Sequence, residues 1–351
     1  MIKNQNGDRM LWAEIIRVLA TVSVIFLHVV AEILNQYGNI PSFVWWTGNI
    51  YESLVRPCVP LFVMLTGVFM LNKTYELSDF LKKRFARIIL PFLFWSIIYA
   101  LFAWNTKVLE NQEVHVFEIL KWLSGKLLRG VSFHFWYIYM IIGIYLFIPI
   151  INKWIQKATE KEILYFIFIW LIALIINQPW LSKFKGSIDL NYFSGFIGYL
   201  VLGYYLSVKS FAINKQTVNL ISLFLIVTGF GLTLFGTYFL SFSEKKFNEY
   251  FYNYFALNVL MSSTGVFMMF KNLQINYSPI AIKIISFISK YSYGIYLVHI
   301  LVLNFMKTYG IDCDFINPIF AIPIVSLGCL FISILIIYSI NKLPYGKYIS
   351  G

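Results

Sequence analysis

The stretch Glu14-Ile-Ile-Arg17-Val-Leu-Ala-Thr-Val-Ser-Val-Ile-Phe-Leu-His28 decides what kind of protein this is. Around its three ionisable residues the chain is almost wholly apolar, and the run is long enough to cross lipid hydrocarbon as a helix. A charge at mid-membrane costs roughly 2.5–3.5 kcal/mol on insertion scales, and chains keep one there chiefly where it does something. Arg17 and His28 are eleven residues apart, which at about 100° per residue returns to nearly the same helical face about 16 Å further along the axis. Glu14, three residues before Arg17, lies on that side and is placed to pair with it. One helix face thus carries a permanent cation, an acid and a titratable imidazole, the beginning of a buried polar seam.

The rest of the chain agrees with a membrane setting. Of 351 residues 59% are hydrophobic and only 13% charged, about half the charged fraction of a soluble protein, and mean hydropathy is +0.72. Apolar runs of about 20 residues recur throughout without the alternation of barrel strands. The predicted fold is an all-α polytopic membrane protein with about ten transmembrane helices, near 11–34, 55–72, 88–106, 134–151, 161–177, 192–208, 217–240, 251–270, 291–308 and 318–340. Residues 43–54 are expected to form a short helix leading into the second span. Leu77–Arg87 and, more weakly, Val116–Arg129 read as separate interfacial helices. No second domain or internal repeat is visible, so residues 1–351 are taken as one unit, and the first apolar run, lacking a small-residue cleavage pattern, as a retained helix.

The formal net charge is +12, but the cations sit in inter-helix segments, where topology and lipid phosphates place them; nucleic acid is not an expected partner. With the N-terminus inside, 17 of the 28 Lys and Arg residues fall in inner segments and 9 in outer ones. This bias puts both termini in the cytoplasm. Cys58, Cys313 and Cys329 are scattered, without metal or disulfide spacing, and no metal site is expected.

Further polar constellations follow. Lys82-Lys83-Arg84-Phe-Ala-Arg87 precedes the third span. Its plain reading is headgroup anchoring; its functional reading is an inward site for a polyanion, since two arginines one turn apart fork onto phosphates as lysines cannot. Pro91 is expected to end or kink that helix. Arg56-Pro-Cys-Val-Pro60 opens the second span, a packing feature or the edge of an outer vestibule. His134-Phe-Trp136-Tyr opens the fourth span as an aromatic belt or a pocket wall. Ser292, Tyr296 and His299 form a polar stripe at i, i+4, i+7. The pocket candidates are therefore Arg56, His134, Trp136, Tyr296 and His299. His28, the deep imidazole on the Arg17 face, is the candidate general base.

Taken in order, Arg17 with His28, Val59-Pro-Leu-Phe through Thr66-Gly67, Arg84-Phe-Ala-Arg87, His134-Phe-Trp-Tyr, Gly198-Tyr-Leu-Val-Leu-Gly203 and Ser292-Tyr-Gly-Ile-Tyr-Leu-Val-His299 resemble the integral-membrane acyltransferase family 3. The resemblance is greatest to the subgroup that includes the enterobacterial common antigen O-acetyltransferase. Glu14 stands where the family often has Asp, and Thr66 where Ser is common. The resemblance implies a multi-pass bacterial plasma-membrane enzyme. It would move an acyl group, with acetyl expected, from cytoplasmic acyl-coenzyme A to a hydroxyl of an envelope glycan or lipid-linked sugar. His28, Arg17 and Glu14 would serve catalysis, and Arg84, Arg87 and Lys83 would hold the donor. The rival reading is a transporter or flippase for an anionic metabolite or lipid-linked sugar, using the same buried charges.

Overall fold

The computed structural model describes residues 10–71, 73–109, 125, 130–184, 190, 195–273 and 275–351. Among these, eleven α-helices follow in order: α1 (Leu11–Leu34), α2 (Ser42–Val55), α3 (Cys58–Met70), α4 (Leu77–Leu109), α5 (Trp136–Ile155), α6 (Glu160–Ile176), α7 (Ile197–Val208), α8 (Lys215–Glu244), α9 (Leu257–Asn272), α10 (Pro279–Thr308) and α11 (Pro318–Lys342). No strand occurs among the described residues. Seven helical segments are long and apolar enough to cross a membrane, α2 with α3 counting as one. The expected span 161–177 corresponds to α6, which has the same length of 17 residues one position earlier, and 192–208 and 251–270 correspond to shorter helices of 12 and 16 residues. The protein is an all-α polytopic membrane protein.

α1 is the hub, packing against α2, α3, α9, α10 and α11, so Arg17 and His28 are held inside the bundle. The outer helices face lipid with one stripe. On α11, Phe320, Ile324, Leu327, Phe331 and Leu335 are exposed at helical spacing, while Ser326, Cys329 and Ser333 are buried. α8 turns a small and polar stripe toward α9. A Cβ at Gly229 would stand 2.5 Å from the Asn258 carbonyl oxygen, and one at Gly265 2.6 Å from that of Ser222. Small residues let the backbones close up where lipid leaves no hydrophobic driving force between helices. α3 and α7 do the same reciprocally: a Cβ at Gly67 would meet the Leu200 carbonyl oxygen at 1.9 Å, and one at Gly203 that of Met64 at 2.3 Å.

Helix ends are satisfied locally. Thr159 and Glu162 form a capping box at the start of α6, and Asn214 caps α8 through the Thr217 amide at 2.7 Å. At the end of α7 the Lys271 ammonium donates to the carbonyls of Leu206 and Lys209, since the last carbonyls of a helix lack intrahelical partners.

Three features differ from expectation. Leu77–Arg87 is not a separate interfacial helix: α4 runs unbroken for 33 residues with Pro91 inside it. Membrane helices tolerate an internal proline because neighbouring groups re-satisfy the freed carbonyl. The helix over 43–54 is present as α2, but the second span starts at a break, Arg56-Pro57, between α2 and α3; Pro57, lacking an N–H, suits a helix start. The ninth span begins at Pro279 rather than 291, capped by the Ser278 hydroxyl. Val116–Arg129 falls almost wholly outside the described residues.

Candidate functional site

Two cavities lie within the bundle and share three wall residues, Phe62, Tyr137 and Tyr296.

The first, of about 180 Å³, is basic. Arg84 and Arg87 enter it from α4, Arg17 from α1 and Lys290 from α10, beside the hydroxyls of Ser289, Ser292, Tyr145 and Tyr293. The continuity of α4 makes this possible: Arg84, Arg87 and Ile88 at i, i+3, i+4 form one face. Lys83, one residue before Arg84, is rotated about 100° off that face. It is largely exposed and pairs with Asp79 at 3.1 Å, so the expectation that Lys83 joins the arginines is corrected: it does not line the cavity. Arg17 lies over the Phe69 ring at 5.1 Å and shares the cavity of the α4 arginines rather than that of His28. Glu14 is buried beneath, 1% exposed; it accepts a hydrogen bond from Ser286 at 2.8 Å, tying α1 to α10, and lines neither cavity. In the sequence Lys290 reads as one more inner-loop cation, because the expected ninth span starts just after it.

The second cavity, about 50 Å³, contains His28 and His134 among Val24, Leu27, Val59, Trp136 and Tyr254. Three histidines meet here, brought from α1, from the 3-10 turn Phe133–Phe135 and from α10. Ring centroids are 5.2 Å apart for His28 and His299, 5.2 Å for His134 and His299, and 6.4 Å for His28 and His134. His299 Nδ1 faces the Tyr296 carbonyl at 2.6 Å. A carbonyl only accepts, so this nitrogen carries the proton and Nε2 is left as a bare acceptor. That Nε2 and the Nε2 of His134 are buried without a hydrogen-bond partner. His134 Nδ1 bonds the Ser132 hydroxyl at 2.8 Å, and its carbonyl accepts from the Tyr296 hydroxyl, closing the polar stripe of α10 against the turn. Among the described residues no group of three or more His, Cys, Asp or Glu is arranged to hold a metal ion. Trp136 forms an edge of the cavity and stacks on Tyr254, centroids 5.7 Å apart at 26°.

Arg56, the remaining candidate, lines neither cavity. It forms a buried ion pair with Glu52, one turn earlier on α2, donates through Nη1 to the Tyr252 carbonyl at 3.0 Å, and lies over the rings of Tyr252 and Tyr254 at 4.7 and 5.5 Å. Glu52 was missed in the sequence, although an acid four residues before an arginine in an apolar stretch is the signal of such a pair.

The basic cavity suits an anionic group, and the histidine cavity places an imidazole that can accept and return a proton. The chain resembles a Bacillus subtilis (strain 168) protein provisionally named membrane-bound acyltransferase YfiQ, with 23% identity over 353 residues, covering 96% of this chain and 92% of that one. No solved structure matches it. The model of the acyltransferase domain of family 3 matches residues 10–338. The chain belongs to the acyltransferase 3 family.

Proposed function

We propose that this membrane acyltransferase moves an acetyl group from cytoplasmic acetyl-coenzyme A to a hydroxyl of an envelope glycan or lipid-linked sugar, in a bacterial plasma membrane with both termini in the cytoplasm. The observation that carries this reading is the shared wall of Phe62, Tyr137 and Tyr296 between an arginine-lined cavity and a histidine-lined one. Coenzyme A has phosphates at one end of a long arm and the thioester at the other. Arg84, Arg87, Arg17 and Lys290 suit the phosphates, with arginine forks giving bidentate contacts. The arm then leads past the shared wall to His28.

The chemistry needs no protein nucleophile. His28 takes the proton of the acceptor hydroxyl as its oxygen bonds to the thioester carbonyl carbon. The C–S bond breaks, and the thiolate recovers the proton from the imidazolium, leaving ester and free coenzyme A. The cavity at His28, about 50 Å³, is smaller than the basic one, about 180 Å³, which suits a short acyl group.

The test is thiol release from acetyl-coenzyme A by the purified full chain, with and without an envelope glycan fraction, and mass spectrometry of that fraction. Glycan-dependent release with an acetyl-sized mass increment is expected. Donor binding without any transfer would favour a carrier instead.

A further inference from the structure

The Glu52–Arg56 pair contributes to neither cavity wall, yet the protein keeps it buried at the break between α2 and α3. Its side chains are 1% and 15% exposed. Burying two ions is costly, and a well-packed apolar pair in their place is often neutral or stabilising. An arginine and a glutamate one turn apart can meet as a fork, two parallel N–H···O bonds. Here they meet through one contact, Nη2 to Oε1, while Nη1 is given to the Tyr252 carbonyl. Arg56 Nε and Glu52 Oε2 are both buried without a partner. The pair therefore holds one unspent donor and one unspent acceptor, each on a charged group, where an unmade hydrogen bond is most expensive. A hydroxyl both donates and accepts, and is the neutral group that complements such a couple.

The position fits. Tyr254, under the Arg56 guanidinium, and Val59, three residues after Arg56, both line the His28 cavity. We infer that the Glu52–Arg56 pair is a binding subsite for a hydroxyl of a polyhydroxylic acceptor, flanking the His28 cavity and holding a hydroxyl other than the one acylated. This rests on the acyl-transfer reading above. It adds the side chains that recognise a second hydroxyl of that acceptor.

The experiment uses the purified full chain, acetyl-coenzyme A and the envelope glycan fraction, with two variants. In the double variant Glu52→Leu/Arg56→Met the ion pair is replaced by apolar bulk. In Arg56→Lys the charge stays but the Nε donor is lost. Expected for both are donor Kd within twofold of wild type and glycan-dependent thiol release reduced at least tenfold in kcat/KM for glycan, with the thermal midpoint of the double variant retained. Release within twofold of wild type in the double variant would make the pair merely structural. A loss matched by weaker donor binding would overturn the subsite equally. Should the double variant unfold, Arg56→Lys decides by the same two readouts. Wild-type protein without glycan-dependent release would instead sink the acyl-transfer reading, and the subsite with it.

Discussion

His28 is the only one of the three clustered histidines that belongs to the hub helix and lines the cavity that shares a wall with the basic chamber. A hydroxyl needs a base to attack a thioester well at neutral pH, and loss of a positioned general base typically costs about 10²–10⁴-fold. His28→Ala should lower transfer by that amount while donor affinity stays unchanged; a folded variant with near-normal transfer would pass the role to His134 or His299. Arg17→Ala belongs with the donor contacts and should weaken acetyl-coenzyme A binding, measured by calorimetry. These two side chains were legible in the sequence because an ionisable group in a long apolar run needs a reason. Glu52 and Lys290 were not singled out. One was masked by a polar-looking segment thought to precede the span, the other by a helix start placed twelve residues too late. Lys83 was over-read, because a charge cluster in sequence does not say which of its members share a face.

Helix α4 continues through Pro91 and places Arg84 and Arg87 on the wall of the basic cavity, where the proposed function has them hold the donor. Each charge-assisted contact is worth about 1.5–3 kcal/mol, or roughly 10- to 150-fold in affinity. Arg84→Ala and Arg87→Ala should each raise the donor Kd by that order, with lysine restoring only part of it. Unchanged affinity in both would return the pair to headgroup anchoring. The α3–α7 contact makes a packing prediction. Gly67→Ala places a methyl on the Leu200 carbonyl, and overpacking of this kind costs about 1–3 kcal/mol or more. Its apparent thermal midpoint in detergent should fall clearly. Gly143→Ala, whose Cβ would meet nothing within 4 Å, should leave it unchanged. Hydropathy located most helices within a few residues, but it could not foresee that α2 and α3 share one span, nor that α7 and α9 are short. Such lengths are set by packing against neighbours, and a window of apolar residues does not encode them.

The orientation of the bundle was read from the lysine and arginine bias alone, which marks the side where cations are retained. Single cysteines can test it, since the three native ones, Cys58, Cys313 and Cys329, are buried. Cysteines at Lys82 and Lys157 should resist a membrane-impermeant label on intact cells, and cysteines at Glu244 and Asp314 should react. The reverse pattern would place the donor chamber outside and exclude cytoplasmic coenzyme A. In the proposed orientation, Phe62, Tyr137 and Tyr296 stand where the donor arm would meet the acceptor. On the proposed function, the acceptor would be modified outside while the activated donor stays in the cell. No export of an energy-rich intermediate is required, and none is lost to hydrolysis in the surroundings. The extent of surface acylation would then follow the internal acyl-donor pool, so that on this proposal the metabolic state of the cytoplasm is written on the exterior of the cell.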